Sequence, residues 1–138
     1  MNTLKIDVIY REVNDMMKFY KCSHCGNITA FVKNSGVPLM CCGQKMEELI
    51  PNTTDAAGEK HVPVYEVKDG TVTVTVGSVE HPMLEEHYIQ WVALETRQGN
   101  QRKILAPGQK PEVKFATTPD DEVVSVYEYC NLHGLWKA

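Results

Sequence analysis

Beyond His61 the chain alternates apolar and polar residues over short stretches separated by turn residues. In Thr71-Val72-Thr73-Val74-Thr75-Val76 every valine falls on one face of an extended chain and every threonine on the other, the signature of a half-buried strand. Residues 62–68 and 71–77 flank Asp69-Gly70, a two-residue hairpin signal. Residues 87–96 and 101–105 surround a second turn at Gln98-Gly99-Asn100, and residues 113–117 and 123–129 supply two further strands. About six or seven short strands at this spacing, with no long helical pattern, predict an antiparallel β-sandwich.

The part before that has no such pattern. Residues 1–17 are a mixed lead-in with no assignable role. Residues 18–52 form a small module whose chemistry is all in cysteine. It is too short for a proper apolar core, so a bound metal would supply much of its stability. Residues 51–58, Pro-Asn-Thr-Thr-Asp-Ala-Ala-Gly, read as a linker or irregular loop. The expected organisation is therefore an extension (1–17), a metal module (18–52) and a sandwich (53–138).

Composition narrows the class. Hydrophobic residues make up 43% and charged residues 23% of the 138 positions, as in ordinary globular proteins. The net charge of -4 argues against nucleic acid, which needs clustered Lys and Arg. No apolar run is long enough for a bilayer, and the first residues lack the apolar stretch of a secretory signal. A cytoplasmic setting is expected, where thiols stay reduced. The five cysteines are an odd number, which a closed disulfide framework would not use.

Four of them form one set. Cys22-Ser23-His24-Cys25 is a C-x-x-C knuckle, and Cys41-Cys42 follows with Gly43 behind it. Four thiolates suit tetrahedral zinc or iron, and the spacing does not separate the two; a Cys22–Cys25 disulfide is a third option. The adjacent pair is unusual. Neighbours in an extended chain point opposite ways, so binding by both requires a distorted backbone. Gly26 and Gly43 would give the chain room beside the sulfurs.

The second set is His61, His81, His87 and His133 with the leftover Cys130. Any one of these histidines reads more readily as a surface or hydrogen-bonded core residue. Together they sit at strand edges and in loops, where ligands are presented. Four imidazoles and one thiolate exceed a structural zinc site and leave a sixth octahedral position open. Such a donor set suits a redox metal such as iron. Glu59 and Lys60, just before His61, read on their own as an exposed ion pair. Asn131 and Leu132 could aim backbone N–H groups at the Cys130 sulfur. Trp91, Trp136, Tyr88, Tyr127 and Tyr129 read as packing residues of the sandwich.

The motifs KCSHCG, MCCG, EKHVP, VEHPM, HYIQW and CNLHGLWKA together resemble those of desulfoferrodoxins, the two-iron superoxide reductases, from Lys18 to the C-terminus. The resemblance implies an all-β protein: a small desulforedoxin-like metal-binding domain followed by an immunoglobulin-like antiparallel β-sandwich. It implies two iron ions per chain. Cys22, Cys25, Cys41 and Cys42 would hold a rubredoxin-like first iron. His61, His81, His87 and His133, with Cys130 as axial thiolate, would hold the catalytic iron. Glu59 would match the carboxylate that closes the sixth position in the ferric state, and Lys60 the lysine beside the open site that draws in the anion and organises water for proton delivery. The implied reaction is one-electron reduction of superoxide to hydrogen peroxide without oxygen evolution, a detoxification suited to an anaerobe or microaerophile. Rubredoxin or a similar reductant is the implied donor, and a homodimer the implied assembly. The alternatives are a non-catalytic iron–sulfur electron carrier and a zinc-stabilised binding module.

Overall fold

A computed structural model describes residues 16–138; the greater part of the expected lead-in, residues 1–15, lies outside the described residues. Among the described residues the chain divides between Ile50 and Pro51 into two compact units. Among the described residues no helix is long and apolar enough to cross a membrane.

The first unit is built from five very short strands. β1 (Phe19–Lys21) pairs antiparallel with β2 (Ile28–Ala30) and with β5 (Glu47–Glu48), while β3 (Met40–Cys41) and β4 (Gln44–Lys45) form a two-residue hairpin. The alternation that marks the later strands cannot register in elements of two or three residues, so none of these is legible beforehand. Among the described residues the unit's buried hydrophobic side chains are Phe19, Cys22 and Met46. So small a core agrees with a fold that leans on a metal.

The second unit is the sandwich. A one-turn helix α1 (Gly58–His61) leads into β6 (Pro63–Lys68), β7 (Thr71–Val76), β8 (Ile89–Thr96), β9 (Asn100–Ile104), β10 (Glu112–Ala116), β11 (Val123–Cys130) and β12 (Gly134–Lys137). One sheet has the order β10-β7-β6 and the other β12-β11-β8-β9, and every pairing is antiparallel. The predicted strands stand within one or two residues of their expected ends. Asp69 (φ 50°) and Gly70 (φ 76°) both adopt positive φ, as a tight type I′ turn between right-twisted strands requires. α1 and β12 were not expected: a single turn has no period to read, and Gly134–Lys137 alternates too briefly.

The inter-sheet core takes Val72, Val74 and Val76 from β7, Val113 and Phe115 from β10, Ile89, Val92 and Leu94 from β8, and Val126 and Cys130 from β11. The valine face expected for β7 is thus the buried one. Tyr127 and Tyr129 are buried too, but by the strand's alternation they lie on the opposite face of their sheet from Val126 and Cys130. There Tyr127 donates to the Glu95 carboxylate (2.9 Å) and Tyr129 stacks on Trp91 (5.6 Å between centroids, 6° apart). They are packing residues, as expected, but on the sheet's other face and not between the two sheets.

β11 has a partner shift where it reaches the site. Tyr129 pairs with Trp91 but Cys130 pairs with Ile89, leaving Gln90 as an extra residue on β8. Such a bulge bends the bulged strand and increases the local twist, here where β11 ends at Cys130 and runs into the turn carrying His133.

Candidate metal centres

In the first unit, Cys22 and Cys25 stand at the two ends of the knuckle after β1, Cys41 ends β3, and Cys42 lies in the β3–β4 turn. Their four sulfurs lie within 4.8 Å of one another, with Cys25 3.6 Å from Cys41 and Cys41 4.0 Å from Cys42. A tetrahedron with 2.3 Å metal–sulfur bonds has edges of roughly 3.8 Å, so the spacing fits a tetrahedral ion. No pair is disulfide-bonded: all five cysteines are free.

The adjacent Cys41 and Cys42 reach one centre because the backbone reverses between them. Cys42 has φ 52° and Gly43 φ 72°, a left-handed turn that brings the second thiol back to the side of the first. This is the distortion the sequence demands. A Cβ added at Gly26 or Gly43 would meet nothing within 4 Å, so these glycines serve their positive φ and not, as expected, a lack of room. Backbone N–H groups of Cys25 and His24 face the Cys22 sulfur and, with the Cys25 and Cys41 thiols, hold its pKa at about 6. The neighbouring thiols push Cys42 up to about 12, Cys25 contributing most. A metal that replaces those shared protons relieves the conflict.

The second set comes from four places in the sandwich unit. His61 ends α1 and is buried; His81 follows β7 and is buried; His87 lies in the bridge Leu84↔His87 before β8; Cys130 ends β11 and His133 lies in the turn to β12. The ligand atoms of His61, His81, His87 and Cys130 lie within 4.8 Å of one another. His133 completes the array: its Nδ1 is 3.1 Å from His61 Nε2 and 3.9 Å from Cys130 Sγ. His81 Nε2 is 3.2 Å from His61 Nε2. Adjacent nitrogens bound at about 2.1 Å to one ion at right angles are roughly 3.0 Å apart, so these close approaches fit a shared metal.

The nitrogens are sorted by their partners. His61 Nδ1 lies 2.8 Å from the Ala57 carbonyl and His81 Nδ1 2.7 Å from that of Pro82. As donors there, both rings turn an unprotonated Nε2 inward. His87 Nε2 is buried without a hydrogen-bond partner, an orphan atom that a metal would satisfy. Three Nε2 atoms and the Nδ1 of His133 therefore face the centre. Burial lowers the pKa of His61 and His87 and brings His81 down to about 4, which favours in these three rings the neutral form that binds metal. Burial raises the Cys130 thiol, opposed by the N–H groups of His133 and Leu132. The expectation for Asn131 is corrected: its N–H bonds the Tyr88 carbonyl at 3.2 Å.

Trp136 packs its ring 4.9 Å from that of His61 and donates Nε1–H to the His133 carbonyl at 3.1 Å. Glu59 and Lys60 are exposed on α1. Among the described residues the ion pairs are Arg97–Glu122 and Lys110–Glu112, so Glu59 and Lys60 do not pair with each other. The Lys60 charge reaches both His61 and His87, whose pKa values it lowers further. One residue went unread in the sequence. Glu128 is fully buried, neither oxygen has a partner, and burial drives its pKa to about 9. The signal was its place on the Val126–Cys130 face of β11.

An all-β chain with a separate four-thiolate cluster and a four-imidazole, one-thiolate cluster is a two-centre metalloprotein. Residues 53–138 match the desulfoferrodoxin family model and residues 14–49 the model for the desulfoferrodoxin N-terminal domain. The desulfoferrodoxin of Nitratidesulfovibrio vulgaris is 47% identical over 88% of this chain and 94% of its own. That of Desulfarculus baarsii is 48% identical over 90% and 97%. The crystal structure of the superoxide reductase from Treponema pallidum superposes with a TM-score of 0.75 at 43% identity, covering 89% of this chain and 98% of that one. The chain belongs to the desulfoferrodoxin family.

Proposed function

We propose that this chain is a superoxide reductase: it reduces superoxide by one electron, with two protons, to hydrogen peroxide, and releases no dioxygen. The observation that carries the reading is the convergence of four imidazoles and the Cys130 thiol in one cluster. Its likeness to the Treponema pallidum superoxide reductase supports it. In this reading His61, His81, His87, His133 and Cys130 hold the catalytic iron, and Cys22, Cys25, Cys41 and Cys42 hold the other. When bound, the catalytic iron supplies the electron and a Lewis-acidic position for the substrate anion.

The chain's own residues do the rest. Superoxide is an anion and the protein carries a net charge of -4, so a local positive field must draw it in. Lys60 supplies it, exposed on α1 beside His61 and electrostatically linked to His87. Its ammonium also organises water for proton delivery. Glu59 is the carboxylate that closes the site between turnovers. The N–H groups of Leu132 and His133 stabilise charge on the Cys130 sulfur, and Trp136 against His61 keeps bulk water from that side of the cluster. Rubredoxin or a similar small reductant is the electron donor, the protein works as a homodimer in the cytoplasm, and residues 18–52 and 53–138 each carry one iron.

The test is anaerobic rapid mixing of iron-loaded, pre-reduced protein with superoxide. The reading expects oxidation of the second site as superoxide disappears. A protein that isolates with zinc in both sites and stays inert when iron-loaded would overturn it.

A further inference from the structure

Asn131 follows Cys130 directly and has no group suited to this metal, yet all three of its hydrogen bonds converge on one short segment. Its N–H donates to the Tyr88 carbonyl at 3.2 Å, its Oδ1 accepts from the Tyr88 N–H at 2.9 Å, and its Nδ2 donates to the Glu86 carbonyl at 3.0 Å. Glu86 and Tyr88 are the residues on either side of His87. The amide orientation is fixed by its partners, since the flipped form would face donor to donor and acceptor to acceptor. Only a side chain with both an acceptor and a donor on a short stem meets this pair.

His87 needs such support more than His61 or His81. His61 and His81 each anchor the ring through Nδ1 to a backbone carbonyl. Among the described residues the His87 ring makes no hydrogen bond, and its Nε2 is buried and unpartnered. Its backbone exchanges hydrogen bonds with Leu84, closing a tight turn (2.9 and 3.1 Å). That turn fixes the loop internally. It does not fix the loop to the strand end that bears Cys130; Asn131 does.

We propose that Asn131 is a positioning residue that holds His87 at the metal site by clamping its two chain neighbours to the turn after Cys130. The proposal rests on the reading that His87 and Cys130 bind one metal. Metal-site residues that orient ligands from behind typically carry ten- to hundredfold in metal affinity, and this one spans two ligand-bearing segments from a single side chain.

The experiment is a chelator-competition titration of the full-length apoprotein with cobalt(II), following the second site, in a double-mutant cycle of Asn131→Ala with His87→Ala. Asn131→Ala is expected to weaken second-site cobalt binding about ten- to hundredfold in the otherwise native chain and to add nothing once His87 is gone. Asn131→Gln keeps the amide on a longer stem; it gives an intermediate loss and serves if the alanine variant fails to fold. Asn52→Ala is the matched control. It removes two side-chain bonds to the Lys137 backbone (3.1 and 2.8 Å), none of them to the His87 loop, and leaves cobalt affinity unchanged. An equal loss from Asn131→Ala in both backgrounds would show a general effect on the fold and overturn the proposal, as would a loss no larger than that of Asn52→Ala. If His87→Ala alone left cobalt affinity unchanged, the ligand assignment itself would fall, and the clamp with it.

Discussion

Gly77 offers the sharpest test of how the fold holds the second site. It lies just past β7, directly beneath α1. A Cβ built there would stand 2.7 Å from the Glu59 carbonyl oxygen, 2.9 Å from that of Val62 and 3.1 Å from the Lys60 carbonyl carbon. The nearest of these is about 0.7 Å inside an ordinary contact of 3.4 Å, and all three are backbone atoms, with no flexible side chain to turn aside. The backbone is also tethered: Glu59 O accepts from Val79 N–H (2.9 Å) and Ser78 Oγ (3.2 Å). Gly77→Ala must therefore shift α1 as a whole, carrying Glu59, Lys60 and His61 with it. Overpacking of this kind destabilises by about 1–3 kcal/mol. A displacement beyond about 0.5 Å also exceeds the tolerance of a preorganised site, so second-site metal affinity should fall roughly tenfold or more. The assay is urea unfolding together with spectroscopic titration of both sites. The four-thiolate site, which takes no ligand from α1, is expected to keep its native spectrum. An alanine variant with native stability and native second-site affinity would refute the argument that α1 is held by close backbone approach.

Other changes probe other links. Lys60→Ala should lower the rate constant for superoxide about tenfold at low ionic strength and flatten its salt dependence; stopped-flow rates across a salt series read this, and an unchanged rate would remove the steering role. Cys25→Ser should bleach the first centre's thiolate absorption and make residues 16–50 more readily cleaved in limited proteolysis, because that unit has so little apolar core. Glu128→Gln should change how stability depends on pH. The folded state keeps the Glu128 proton up to about pH 9, whereas an ordinary Glu releases it near 4.5. Between those values the native state binds the extra proton, so stability falls by up to about 1.4 kcal/mol for each unit of rising pH. Glutamine abolishes that slope, which urea unfolding at several pH values detects.

The features legible in the sequence are those set by period and residue type. The Thr–Val alternation of β7 places its valines in the core because a period of two fixes the face once one side is buried. Asp69-Gly70 marks its hairpin because few residues accept positive φ in succession. The nine donor residues are legible because cysteine and histidine are chemically conspicuous and because their flanking motifs resemble a known family. The remainder depends on contacts between residues distant in the chain. Nothing local to Asn131 announces a clamp on Glu86 and Tyr88, some 45 residues away. Nothing local to His133 says that it turns Nδ1 inward where three others turn Nε2. Glu128 reads as a solvated charge until the sheet register puts it on the same side as Val126 and Cys130. Gly77 is one glycine among nine until α1 is laid over it.

The imidazole and thiolate cluster, once loaded with iron, is expected to reduce superoxide without disproportionating it. The most direct measurement is product stoichiometry: pre-reduced, iron-loaded protein mixed anaerobically with superoxide, with hydrogen peroxide and dioxygen measured together. A reductase yields one hydrogen peroxide for each superoxide consumed by the protein, and no dioxygen beyond the uncatalysed background; this is the predicted result. Dioxygen released at half the superoxide consumed would mark a dismutase and contradict it.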